Sequence, residues 1–206
     1  MDIESIIVSN VINNKKNKTL QTQLQSIPIS RILHIPKTNC FGVFVSIRRS
    51  IPLQTYPNDI HGCIGYWSHN YTVLSKTEII SHLMDVSLSA MYSDKRKDYF
   101  PPINTDPNAI IEIDFMMLPL IPIDSKTGML TDGTPFKNSK YGLIVEGKNK
   151  STRATYLPHV FPDTTPWAKL KGDLISKAGA SNNSNQNGNQ FMAYTIKQLT
   201  KKLGKM

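Results

Sequence analysis

Cysteine is scarce in this chain. Of 206 residues only Cys40 and Cys63 carry a thiol, and neither sits in a Cys-x-x-Cys pattern. Two are too few for a disulfide scaffold. No apolar run approaches the roughly 20 residues that span a bilayer. The opening Met1-Asp2-Ile3-Glu4 is unlike a signal peptide. The five histidines are scattered, with no His-x-x-x-His helix and no Cys/His finger spacing, so no metal site is expected. A glycine-rich dinucleotide or phosphate loop is missing, and no cofactor is expected. An RNP-like aromatic signature is missing too. Charged residues make up 19%, below the usual quarter, while Asn, Ser and Thr are plentiful. These absences leave a soluble, intracellular protein whose surface is more polar than charged.

What charge there is has one dominant sign. The net charge is +9, much of it in Lys15-Lys16-Asn17-Lys18, Lys95-Arg96-Lys97, Lys201-Lys202 and Lys205. Such a balance favours association with nucleic acid or another acidic surface, and says nothing about fold. A solvated lysine-rich surface accounts for it equally well.

The stretch Ile60-His61-Gly62-Cys63-Ile64-Gly65-Tyr66-Trp67 organises the rest. Two glycines frame the second thiol, and glycine carries an entropic cost that calls for a geometric reason. The frame suits a thiol in a cleft, and equally a small buried hydrophobe in a bulged strand.

Periodicity places the elements. Ile3, Ile6, Ile7 and Val11 predict a helix over 2–12, followed by a linker to Gln25. Residues 41–49 and 60–67 read as neighbouring strands joined by a long loop. Ser75 and Glu78 form a capping box ahead of Ile79, Leu83, Val86 and Ala90, which predicts a helix over 76–92. In 110–118, Ile111, Ile113, Phe115 and Met117 share one face, with Glu112 and Asp114 on the other; Pro119 and Pro122 predict an extended edge or an irregular path beyond. Asp132-Gly133 marks a turn, and 141–146 a further strand. Thr165-Pro166 opens a helix that Gly179 closes. Residues 181–190 hold almost only Asn, Ser, Gln and Gly, and are expected to be a disordered insertion. Residues 191–199 have strand composition. Strands and helices without regular βαβ spacing predict an α+β fold, a compact two-half domain with a mostly antiparallel sheet flanked by helices.

Taken in order, these residues resemble the AMMECR domain family. Its Leu-Arg-Gly-Cys-Ile-Gly run is similar to Ile60–Gly65, and its Asp-x-Arg followed by Phe-x-Pro to Asp94-Lys95-Arg96 and Phe100-Pro101-Pro102. A glutamate-bearing strand resembles Ile111-Glu112-Ile113-Asp114. Leu157-Pro158-His159-Val160, Trp167 and Lys177-Ala178-Gly179 complete the series. The resemblance covers about residues 40–199 of a single domain, 1–206. It implies two related halves contributing to an antiparallel sheet, no established reaction, and a cytoplasmic or nuclear setting. Archaeal and bacterial relatives are similar to partners of radical-SAM and dioxygenase-like proteins, which implies a small-molecule modification step or a regulatory role. One departure stands out: the family arginine is His61 here, so that if the arginine grips an anion in relatives, His61 would provide a weaker, pH-dependent grip or none.

Two classes of function follow. The primary expectation is a regulatory or binding module for a protein or RNA partner, using the basic surface with Tyr66, Trp67 and Tyr71. The other is a small enzyme acting on an anionic or nucleotide-like small molecule, with Cys63 as nucleophile, His61 or His159 as its basic partner, and Arg96 as anion clamp. Asp94 and Glu112 complete the candidate cluster. A structural account competes with both: Asp94 and Arg96 forming a capping or ion-pair network, with Glu112 pairing Arg96 across the sheet.

Overall fold

The computed structural model describes residues 38–50, 59–99, 106, 108–147, 152–179 and 188–202. The expected helix over 2–12 and its linker, Phe100-Pro101-Pro102, and 181–187 of the expected insertion lie outside them. Among the described residues, six strands and two helices follow one another as β1 (Cys40–Arg48), β2 (Ile60–Trp67), α1 (Lys76–Tyr92), a 3-10 turn (Lys95–Tyr99), β3 (Ile110–Ile123), β4 (Gly142–Glu146), β5 (Arg153–Tyr156), α2 (Trp167–Lys177) and β6 (Gln190–Lys202). The hydrogen-bonded strand order is β2-β1-β3-β6-β4-β5. This is the α+β class with an antiparallel sheet that the spacing implies. No helix among the described residues is long and apolar enough to cross a membrane.

The chain divides into two units, residues 1–116 with 197–206, and residues 117–196. In the first, β1 and β2 pair antiparallel, with Val45 opposite Ile64 and Ser46 opposite Cys63. Alternation then decides the faces. Val43, Val45 and Ile47 are fully buried, as are Ile79, Leu83 and Ala90 of α1. The helix begins where the capping box places it: Ser75 Oγ accepts from the Glu78 N–H, and the Glu78 carboxylate accepts from the Ser75 N–H.

In the second unit β4 lies between β5 and β6. Leu143, Val145, Ala154, Phe191 and Ala193 form a core with Leu170, Leu174 and Ile175 of α2.

Three boundaries differ from expectation. β3 continues through Pro119 and Pro122 to Ile123, since proline fits a strand wherever no ladder donor is required. α2 starts with Pro166 as the residue before its first turn and without a side-chain cap, so Thr165 is not its N-cap. β6 begins at Gln190, one residue inside the expected insertion, and runs on to Lys202. The short β5 has too few residues for alternation to reveal it.

Candidate functional site at Cys63

Among the described residues β2 is an edge strand of the sheet. An edge leaves every second residue with its N–H and C=O turned away from the neighbouring strand. Cys63 is one of these residues, and both of its outward groups are taken by side chains. Its N–H donates to Asp94 Oδ2 at 2.9 Å, and its carbonyl accepts from Arg96 Nη2 at 3.1 Å. Asp94 and Arg96 are themselves joined twice, Nε to Oδ1 at 3.0 Å and Nη2 to Oδ2 at 2.5 Å, while the Arg96 N–H donates to Oδ1 at 3.0 Å. A carboxylate and a guanidinium thus stand where a further strand would offer a carbonyl and an amide. The Asp94-x-Arg96 pair clamps the cysteine's backbone.

The clamp follows from chain geometry. α1 ends at Tyr92, Asp94 N–H bonds back to the Ser89 carbonyl, and the 3-10 turn that follows brings Arg96 round to the same side. Gly62 is what lets the helix end lie this close: a Cβ built there would fall 1.8 Å from the Ala90 carbonyl oxygen. Burial alone would raise the Asp94 pKa. The Arg96 side chain and the Cys63 and Arg96 N–H groups overcome that, and the carboxyl sits at about 2.

The thiol itself is half-buried. Ser46, opposite it on β1 and almost fully buried, donates its hydroxyl to Cys63 Sγ at 3.2 Å. Cys40 makes a contrast. It is buried, donates to the Gly42 carbonyl at 3.3 Å, and burial pushes its pKa up to about 11. Cys40 is a packed hydrophobe.

His61 does not share the arrangement that simple alternation predicts. Ile47 pairs with Gly62 and Arg48 with Ile60, so His61 is the extra residue of a β-bulge. Its ring is buried, and Nδ1 lies 3.5 Å from Arg49 Nη2. Burial, then the Arg49 charge, lower its pKa; a hydrogen bond to the Met91 backbone and the Asp94 charge act the other way. His159 belongs to the second unit, in the turn after β5 with φ of 65°, where its N–H donates to the Asn138 carbonyl.

Glu112 takes Arg48 as its partner, not Arg96: Arg48 Nε donates to Glu112 Oε2 at 2.5 Å and Nη1 to Asp59 Oδ1 at 2.8 Å. The expected cross-sheet pair from Glu112 to Arg96 is thereby corrected. Arg48 stands on β1, one strand nearer β3 than the β2 edge on which Arg96 lies. Trp67 stacks on Phe44, centroids 6.0 Å apart. Tyr66 is exposed, and its ring lies flat against His82 of α1, centroids 3.5 Å apart.

Of the residues singled out from sequence, then, Cys63, Asp94 and Arg96 come together as one unit, His61 lies in the adjoining bulge, and Glu112 belongs to a separate network. Ser46, Arg48 and Arg49 carry much of the geometry and had no sequence signal of their own. Only the β1–β2 register reveals them, and the length of the intervening loop leaves that register open.

An α+β chain with a glycine-framed cysteine, clamped at a sheet edge by an Asp-x-Arg turn, defines a class of domain. The AMMECR1 family model matches residues 4–199. This chain belongs to the AMMECR1 family. A crystal structure of an uncharacterized protein from Pyrococcus horikoshii has a similar fold, with a TM-score of 0.61 and 17% identity, covering 97% of this chain and 87% of that one. No curated protein sequence matches this one.

Proposed function

We propose that this chain is a binding module for a protein or nucleic-acid partner, with the β2 edge and its aromatic flank as the recognition surface. One observation carries the reading. The charged groups that an enzyme would hold ready for a substrate are committed to the protein's own frame, Arg96 and Asp94 to the Cys63 backbone and to each other, Glu112 to Arg48. Arg96 is therefore a structural cation and a poor anion clamp. The exposed Tyr66 ring, held flat by His82, offers a rigid stacking platform on a chain of net charge +9, and that pairing of aromatic face with positive charge favours single-stranded nucleic acid. The test is fluorescence anisotropy with a labelled single-stranded RNA at about 50 and about 200 mM salt. Binding is expected to weaken steeply with salt, and Tyr66→Ala to weaken it roughly tenfold, the worth of one stacked base. Binding that polyglutamate matches and Tyr66→Ala leaves unchanged would reduce the surface to simple charge attraction. No binding at either salt leaves a protein partner.

A second reading is favoured by the Ser46 hydroxyl. It donates to the half-buried Cys63 sulfur, and such a donor stabilises a thiolate more than a thiol. On this reading Cys63 is the nucleophile, with His61 of the adjoining bulge as basic partner. Iodoacetamide is then expected to modify Cys63 well before Cys40, and Ser46→Ala to slow the reaction severalfold. A rate at Cys63 that does not change in Ser46→Ala removes the support.

A further inference from the structure

Alternation along β2 decides what the edge offers beside the clamp. The register Ser46 with Cys63, Val45 with Ile64 and Phe44 with Gly65 runs without a break. Gly65 therefore turns its N–H and C=O the same way as Cys63, outward from the sheet. At Cys63 both groups are taken by Asp94 and Arg96. At Gly65, which is half-buried, no described residue takes either. With no side chain at this position, a ligand can come within hydrogen-bonding distance of the backbone. The next residue, Tyr66, is exposed, and His82 covers one face of its ring, with centroids 3.5 Å apart and planes 15° apart.

We propose that the Gly65 backbone reads the Watson–Crick edge of an unpaired base held at the Tyr66 ring, so that the ligand is single-stranded RNA whose base edges are unblocked; this rests on the nucleic-acid reading above and names the group that recognises the base. An outward-facing residue of an extended strand presents one donor and one acceptor side by side. A base edge presents the complement. In uracil, O4 accepts from the Gly65 N–H, and N3–H donates to the Gly65 carbonyl. Because His82 occupies one face of Tyr66, the platform takes a single base.

A base suits this edge better than an added peptide strand. Strand pairing extends over a run of residues, commonly about five. Here the clamp takes Cys63 and β2 ends at Trp67, so the stretch around Gly65 is too short for such a run. One base needs only one residue. The charges agree with an RNA backbone alongside: Lys95 is exposed in the turn that carries the clamp, on a chain of net charge +9. The consequence is selectivity for an accessible base edge, and not for charge alone. A methyl group on uracil N3 removes the donor, while the phosphates and the ring faces stay as they were.

The experiment uses the whole chain and two RNA probes, oligouridine and the same oligomer built from N3-methyluridine, at about 50 mM salt. Oligouridine is expected to bind about tenfold more tightly, the worth of one bidentate base contact. By NMR, the Gly65 amide of the free protein should exchange with water at the rate of an open edge. It should gain protection with saturating oligouridine and not with the methylated oligomer. Equal affinity for the two oligomers, with the salt dependence and the loss in Tyr66→Ala intact, overturns recognition by Gly65 and leaves the nucleic-acid reading standing. No binding of either oligomer overturns both. A Gly65 amide already protected in the free protein overturns the inference, as does one that bound oligouridine leaves unchanged.

Discussion

Gly62→Ala is expected to destabilise the first unit by about 3 kcal/mol, at the upper end of overpacking effects, despite adding a single methyl group. The added Cβ would lie 1.8 Å from the Ala90 carbonyl oxygen and 2.8 Å from its carbonyl carbon. Both are backbone atoms of a helix already fixed by its buried face, so no side chain can swing aside. Either the end of α1 lifts from β2 or the strand shifts. Each response also moves Asp94 and Arg96, which leave the helix within a few residues of that point. Gly65→Ala supplies the comparison. Its Cβ would fall 2.3 Å from the Phe44 ring, which is a side chain, so repacking is open to it and the loss should be smaller. Urea unfolding of both variants checks the ranking. A Gly62→Ala protein as stable as wild type would show that helix and strand do not approach as described.

Arg96→Ala is expected to cost about 3 kcal/mol, because it leaves a largely buried carboxylate without its counter-charge. Asp94 keeps two backbone donors, from Cys63 and from residue 96, so the carboxylate is not wholly abandoned. The Cys63 carbonyl, however, loses the donor supplied by Arg96 Nη2. Arg96→Lys should recover little. One ammonium cannot reproduce a fork that meets both carboxylate oxygens and reaches a carbonyl beyond them. Full stability in Arg96→Ala, measured by urea midpoint at neutral pH, would mean that the guanidinium is free for a ligand, and would restore the anion-clamp role.

Residues with a local signature were readable from the sequence. The capping box at Ser75 and Glu78 and the four-three-four spacing behind it fix α1 to the residue, since capping and amphipathicity depend only on neighbours along the chain. The glycines around Cys63 asked for a geometric reason, and Gly62 has one in the Ala90 carbonyl. The roles of the charges were not readable in this way. Which carboxylate meets Arg96, and whether Glu112 faces it, depends on strand order and register, which a long loop between β1 and β2 leaves open. The bulge at His61 is harder still. One extra residue breaks the period of two, and nothing in the alternation of 60–67 marks where the break falls. Ser46 carries no motif, and it matters only because β1 places it opposite Cys63.

The central claim is that Asp94 and Arg96 serve as a surrogate strand for the edge residue Cys63, and amide hydrogen exchange resolved by residue tests it most directly. An ordinary edge N–H is open to water and exchanges quickly. The Cys63 N–H donates to a buried carboxylate instead, so in the wild-type protein it should be as protected as Ile64, whose N–H faces β1 by alternation. In Arg96→Ala the Cys63 amide should exchange about a hundredfold faster, the kinetic counterpart of the lost ion pair, while Ile64 changes less. A Cys63 amide that exchanges at the rate of an open edge in the wild-type protein, or one that Arg96→Ala leaves untouched, would contradict the clamp.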